Sequence, residues 1–209
     1  EGGMITTNNT DLAEKIRKFA GIGYKGLVAD AGRTSLSSEV YQDPNYERFD
    51  TIGFNYRMNA ATAAFGLSQL EILDQLVGLR QKIGKRFIAA VKNCSWLIPQ
   101  KIDSNLTHTY FTFGVIYEGE SKRDITWKQF YKMYKDRGGD GFYACWKNPY
   151  LEPSLRNINL GTQDWDIGLC PIAEEFQSKI MAFKTNYKTY EKAEYKISIL
   201  EKLIDEIGR

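Results

Sequence analysis

The sequence is poor in several residue types that usually announce a function. It has one histidine, His108, and three cysteines, Cys94, Cys145 and Cys170, which are widely spaced and odd in number. That pattern makes neither a disulfide framework nor a zinc site, and it suits a reducing cytoplasm. No His/Cys/Asp/Glu cluster has metal-ligand spacing, so no metal is expected. Charge of one sign is also missing. With 28 Lys+Arg against 26 Asp+Glu the net charge is +2, and nothing in the bulk electrostatics calls for nucleic acid. No apolar run approaches the ~20 residues of a membrane helix. The basic residues are spread over several faces, which argues against a membrane-surface helix. The opening Glu1-Gly2-Gly3 does not read as a signal peptide, and a cytoplasmic location is expected. There is no Walker loop. Gly21-x-Gly23-x-x-Gly26 has the spacing of a dinucleotide fingerprint, but it follows a helical pattern instead of a strand and is set aside. There is no internal repeat and no low-complexity segment.

What is present is ordinary in bulk and distinctive in one place. The 209 residues, 43% hydrophobic and 26% charged, suffice for one large domain or two small ones. The distinctive stretch is Gly53-Phe54-Asn55-Tyr56-Arg57-Met58, which runs directly into Asn59-Ala60-Ala61-Thr62-Ala63-Ala64-Phe65-Gly66-Leu67-Ser68-Gln69-Leu70. A glycine-led loop carries an amide, a phenol and a guanidinium to the start of a helix rich in small residues. The first amides of a helix lack internal partners and its dipole is positive there, so the position suits an anion. The alternative is a helix cap followed by a buried helix.

This stretch resembles the nucleotide-sugar aminotransferases of the DegT/DnrJ/StrS type, which are pyridoxal-phosphate enzymes of aminotransferase fold type I. The opening Glu1-Gly2-Gly3-Met4-Ile5-Thr6-Thr7-Asn8 matches a second segment of that family in the right order, and the resemblance is good to about residue 92. It implies an α/β fold. The chain would be the C-terminal part of such an enzyme: a remnant of the large sheet domain, a long linking helix and a small α+β domain. In the family, a segment carrying the Schiff-base lysine lies a few residues before the Glu-Gly-Gly. No such segment is found here, so no catalytic residue is assigned within the chain. The chain alone is expected to be inactive. The resemblance further implies a cytoplasmic homodimer of polysaccharide biosynthesis, with a nucleotide-sugar substrate and an amino-acid donor such as glutamate. A sugar dehydratase of the same family, with histidine in place of the lysine, and a non-catalytic binding or regulatory relative remain open.

Taken in order, residues 3–7 have strand composition. Thr10 or Asp11 is positioned to cap a helix with Leu12, Ile16 and Phe19 on one face, stopped by Gly21 and Gly23. Residues 21–52 read as a long irregular loop from which Tyr24, Lys25, Arg33, Tyr41 and Tyr46 are candidates to reach a polar ligand, the alternative being a mobile surface loop. Residues 59–92 read as one helix or two end to end, with a change of direction near Asp74–Gly78, where Gly78 weakens the helix. We place the domain division after residue 75, giving 1–75 and 76–209. In the second part, Thr109–Tyr117 and Phe142–Trp146 read as strands and Gly119–Ser121 as a loop. Thr126 caps a short helix, Gly138–Gly141 is a tight turn, Pro171–Lys179 is a short helix, Ile180–Phe183 is a third strand, and Ala193, Ile197, Leu200, Ile204 and Ile207 mark a final helix.

The candidate site residues are few. The Asn55 side chain can donate to a phosphate oxygen, and the resemblance implies that it reaches the pyridoxal phosphate of the neighbouring subunit. Arg57 suits a substrate or cofactor anion; the alternative is a structural pair with a carboxylate such as Asp50. Tyr143, Trp146 and Lys147 occupy the place where many family members carry a strand ending in a histidine or aromatic near the sugar. Here there is no histidine, which puts the sugar contacts in doubt, and Tyr143 and Trp146 read more readily as core residues. Lys147 is placed to meet a diphosphate. His108 reads as structural.

Overall fold

The structure, a computed structural model, describes residues 2–28, 37–156 and 165–209. Arg33 lies outside them, as does the side chain of Tyr41. The chain divides into two compact units, Glu1–Ile72 and Leu73–Arg209.

In the first unit, helix α1 (Thr10–Ala20) begins one residue earlier than its sequence pattern suggests. Its N-cap is Asn9, whose side chain accepts from the Leu12 N–H at 2.9 Å. Residues 3–7 form no regular element and pair with no strand among the described residues, and Met4 is 83% exposed. Strand composition alone does not make a strand where no neighbouring edge accepts its hydrogen bonds. The irregular segment holds a short helix, α2 (Ser38–Gln42), and a local clasp in which Tyr24 pairs with Phe49 and their rings stack at 5.0 Å. Helix α3 (Ala60–Leu70) is capped by Asn59, which accepts from the Thr62 N–H at 2.8 Å. None of its residues is buried, so the helix cap of the alternative reading is present but the buried helix is not.

The second unit is a two-layer α/β structure. Helix α4 (Leu73–Ala90) follows a break at Glu71–Ile72, earlier than the Asp74–Gly78 expected; Gly78 sits inside the helix, at a cost of about 1 kcal/mol relative to alanine. The sheet runs β1 (Leu97–Pro99), β2 (Thr112–Tyr117), β4 (Ile180–Lys184) and β3 (Tyr143–Ala144) across its width, antiparallel throughout. Alternation places Phe113, Val115 and Tyr117 of β2 and Met181 and Phe183 of β4 on one buried face. Helices α4, α6 (Trp127–Asp136) and α9 (Tyr190–Ile207) supply the rest of the core through Phe87, Phe130 and the Ile197–Leu200–Ile204 stripe. The stripe appears as its three- and four-residue spacing predicts.

The remaining connections correct the sequence reading in detail. Thr126 caps α6 through a reciprocal capping box with Gln129. Residues Gly119–Arg123 form a short helix, α5, where a loop was expected. Strand β3 has two residues and not five, because only Tyr143 and Ala144 find partners on β4. Residues 147–168, expected to be irregular, include a 3-10 turn (Pro149–Leu151) and the short helix α7 (Pro153–Arg156); each begins at a proline, which is tolerated in a first turn. Helix α8 (Pro171–Gln177) precedes β4. No helix among the described residues is long and apolar enough to cross a membrane.

Candidate functional site

The Gly53–Met58 loop owes its shape to the end of α1. The last carbonyls of a helix lack intrahelical donors, and here the loop provides them. The Phe54 N–H donates to Phe19 O at 2.6 Å and the Tyr56 N–H to Ala20 O at 2.9 Å, while the Ile22 N–H returns a bond to Phe54 O at 3.0 Å. Gly53 is where the two backbones come closest. A Cβ there would lie 2.5 Å from Gly23 N and 2.8 Å from both Lys18 O and Phe19 O. Gly53→Ala is therefore expected to cost about 1–3 kcal/mol, as overpacking against backbone does. Its signature would be lost amide-exchange protection at Phe54 and Tyr56; unchanged protection at both would show that the loop is held by something else.

Extended backbone sends alternate side chains to opposite faces. Phe54 and Tyr56 stack on each other at 5.5 Å and contact Phe19, whereas Asn55 and Arg57 share the other side. The Arg57 Nε–H donates to Asn55 Oδ1 at 3.0 Å. With its oxygen occupied, the Asn55 amide presents its two N–H bonds, and the Arg57 guanidinium keeps its terminal nitrogens. Both side chains are exposed. The expected alternative, an Arg57–Asp50 pair, does not form. Lys18 takes Asp50 at 2.8 Å and Glu14 at 2.9 Å. A pair of donors around one exposed loop fits a phosphate or carboxylate, so the residues present are compatible with the phosphate of a pyridoxal cofactor.

In the second unit Tyr143, Trp146 and Lys147 form one exposed run, with Tyr143 67% and Trp146 89% exposed. This overturns the reading of Tyr143 and Trp146 as core. The core residue of this segment is Phe142, which meets Trp127, Tyr131 and Phe183. At the preceding turn Gly141 has φ +81°, which swings Phe142 inward and leaves Tyr143 to the open face. His108 is structural: its Nδ1 accepts from the Tyr110 N–H at 2.8 Å. No cluster of three or more His, Cys, Asp or Glu among the described residues could hold a metal ion.

One anchor of this run was not foreseen. Glu174 accepts from the Tyr150 hydroxyl at 2.6 Å and from the N–H groups of Gly168 and Cys170, so one carboxylate ties the segment after Lys147 to the start of α8. The Tyr150 hydroxyl first, then the Gly168 and Cys170 amides, hold its pKa below the usual glutamate range. Burial and the same carboxylate push the Tyr150 hydroxyl up to about 12. A carboxyl whose pKa is depressed on folding stabilises above its unfolded value, about 4.3, and the contribution is lost as pH falls through the folded value. Protection of the Gly168 and Cys170 amides, corrected for intrinsic exchange, should therefore fall on acidification below about pH 4.3. In Glu174→Gln it should show no such step; the same step in the variant would assign it to another group.

The sequence profile of the DegT/DnrJ/EryC1/StrS aminotransferase family matches residues 1–162, and the chain belongs to that family. It is 40% identical over 84 residues to the GDP-perosamine synthase of Caulobacter vibrioides, covering 40% of this chain and 18% of that protein. It is 28% identical over 156 residues to the spore coat polysaccharide biosynthesis protein SpsC of Bacillus subtilis, covering 73% of this chain and 38% of that protein. Among solved structures, the aminotransferase from Psychrobacter cryohalolentis superposes with a TM-score of 0.75 at 17% identity, over 97% of this chain and 51% of that one. S. venezuelae DesV, solved with a ketimine intermediate, gives 0.70 at 17% identity, over 98% and 46%. The chain thus has a mixed α/β fold that spans about half the length of each of these two structures.

Proposed function

We propose that the whole protein is a pyridoxal-phosphate-dependent aminotransferase that passes the amino group of an amino acid such as glutamate to a keto group of a nucleotide-linked sugar. The observation that carries this reading is the Asn55–Arg57 donor pair, standing inside the stretch that matches the family. It is supported by the names of the relatives, a GDP-perosamine synthase and a spore coat polysaccharide protein. Residues 1–72 would be the end of the large cofactor-binding domain, α4 the linking helix, and the remainder the small domain. The protein would act as a homodimer in the cytoplasm, with α3 at the contact.

When bound, pyridoxal phosphate supplies an electron sink for the carbon that loses or gains a proton. The residues of this chain bind and orient. The Asn55 amide would donate to the cofactor phosphate of the neighbouring subunit. Arg57 would fix a second anionic group through its planar fork. Tyr143 and Trp146 would wall the sugar, and Lys147 would meet the diphosphate as a point charge. The test is turnover by the whole protein with L-glutamate and a panel of nucleotide-linked keto-sugars. Formation of 2-oxoglutarate in step with conversion of the sugar C=O to CH–NH2 is the expected result. Loss of water from the sugar without gain of nitrogen would replace this reading with the dehydratase, and no conversion across the panel would favour a binding relative.

A further inference from the structure

The backbone of Asn55 is fixed on both sides. Asn55 bridges to Gly21, and its neighbours are tied to the end of α1, the Phe54 N–H to Phe19 O and the Tyr56 N–H to Ala20 O. What remains free is the side chain. The last torsion of an exposed asparagine has two broad wells that exchange its oxygen for its nitrogen. Only one of the two turns donors toward an incoming anion. The other turns an acceptor, which a phosphate oxygen repels.

Arg57 removes that freedom. Its Nε–H meets the Asn55 side chain at 3.0 Å. A guanidinium only donates, so the atom facing it must be the oxygen, and the NH2 group is left to the open side. The arginine is not drawn elsewhere. Asp50 is held by Lys18 at 2.8 Å, and the bond to Asn55 is the one polar contact that Arg57 makes among the described residues. Asn59, four residues on, is the contrast. Its oxygen accepts from the Thr62 N–H at 2.8 Å, so the helix that it caps sets its orientation. The Asn55 side chain accepts from no backbone N–H among the described residues, and takes its orientation from Arg57.

We propose that Arg57 is a positioning residue, whose Nε–H locks the Asn55 amide with its own N–H bonds turned outward to a phosphate oxygen. The inference rests on the reading of Asn55 as the phosphate contact, and gives Arg57 a role that acts through another side chain. The terminal nitrogens of the guanidinium stay available to a second anion. A side chain already held in its bound orientation spares binding the cost of ordering it, which corresponds to roughly twofold to tenfold in affinity. Lysine does not replace arginine here. It keeps the charge but carries it as a point at the end of a flexible stem, with no rigid plane to fix the amide.

Two measurements on the whole protein test this. The first, without cofactor, is nitrogen relaxation of the Asn55 side-chain NH2. The group should be as ordered as its backbone in the wild type and looser in Arg57→Met. Equal order in both would overturn the inference. The second is a double-mutant cycle read by pyridoxal phosphate affinity. Arg57→Met removes the charge in either background, so only the difference between backgrounds reports positioning. Its loss should be roughly twofold to tenfold greater beside Asn55 than in Asn55→Ala. Equal losses in the two backgrounds would show that the arginine acts on the anion directly, and would overturn the positioning role. Arg57→Lys should recover the part of the loss common to both backgrounds but not the difference; recovery of the difference would assign the orientation to charge alone and overturn the role of the Nε–H. Wild-type affinity in Asn55→Ala would instead remove the phosphate reading, while the relaxation measurement would still decide whether Arg57 holds the amide.

Discussion

If the whole protein holds pyridoxal phosphate as proposed, Asn55→Ala is expected to weaken its binding by roughly tenfold to a hundredfold while leaving the fold intact. The magnitude follows from one hydrogen bond to a charged group, about 1.5–3 kcal/mol, at 1.4 kcal/mol per factor of ten. The expectation that the fold survives has its own basis. The Asn55 side chain is exposed, and the bond that it makes within the chain is the one from Arg57. The loop is held by backbone bonds to the end of α1 and by the close approach at Gly53, none of which the substitution touches. Asn55→Asp separates the two jobs of the amide. The carboxylate still accepts from Arg57 but opposes a phosphate dianion, so it should bind the cofactor at least as poorly as alanine does. If the donor reaches the neighbouring subunit's cofactor, as proposed, breaking the contact at α3 should reproduce the loss with Asn55 in place. Phe65, 69% exposed on α3, is the residue to change to glutamate. Titrating cofactor into the three variants reads all of this. Wild-type affinity in Asn55→Ala would reduce the motif to a loop brace, and wild-type affinity in a true monomer would show that the site is not shared.

How far the sequence carried the reading depended on whether the signal was local. Helix α9 was legible because its apolar residues repeat at helical spacing, and α6 because a capping threonine, Thr126, precedes an apolar side of Trp127, Phe130, Tyr131 and Tyr134. The break at Glu71–Ile72 was not, since neither residue is a glycine or a proline and the apolar spacing runs on across it. Strand β1 was missed because three residues are too few for a pattern, and its pairing with β2 is settled by residues well removed in the chain. The same limit applies to the site. Gly53, Asn55 and Arg57 lie within five positions, so the loop could be read as a unit. What could not be read is that Lys18, from the preceding helix, would take Asp50 and leave Arg57 to Asn55. Tyr143 and Trp146 looked like core because aromatic residues in a short strand usually are. Their exposure is decided by Gly141 and by how little of the segment pairs with β4. Asp140 read as part of a glycine turn, and only the return of β4 and α9 brings Lys184, Tyr187 and Lys196 around it.

The largest effect on stability is expected at Trp96, which no pattern singled out. Its side chain is 1% exposed, and its ring meets Phe130 edge-on at 5.3 Å and Tyr117 at 6.0 Å. It therefore joins β2 to α6 from the segment just after α4. Its indole N–H donates to Gly208 O at 2.7 Å, fastening the residue after α9. Trp96→Ala leaves a cavity that three elements cannot all close, and should cost about 3–5 kcal/mol. That is a large share of the 5–15 kcal/mol typical of a folded protein. Trp96→Phe keeps most of the ring contacts and loses the indole donor, but Gly208 O retains its bond from Arg123 Nε at 3.2 Å. The hydrogen-bond part of its loss should then be only about 0.5–1.5 kcal/mol, with a smaller cavity term added. Urea unfolding followed by far-UV circular dichroism measures both, and a slope unchanged from wild type would confirm that the native state is being compared. A cost below about 1 kcal/mol for Trp96→Ala would mean that the second unit repacks around the gap, and that Trp96 is not the junction its contacts describe.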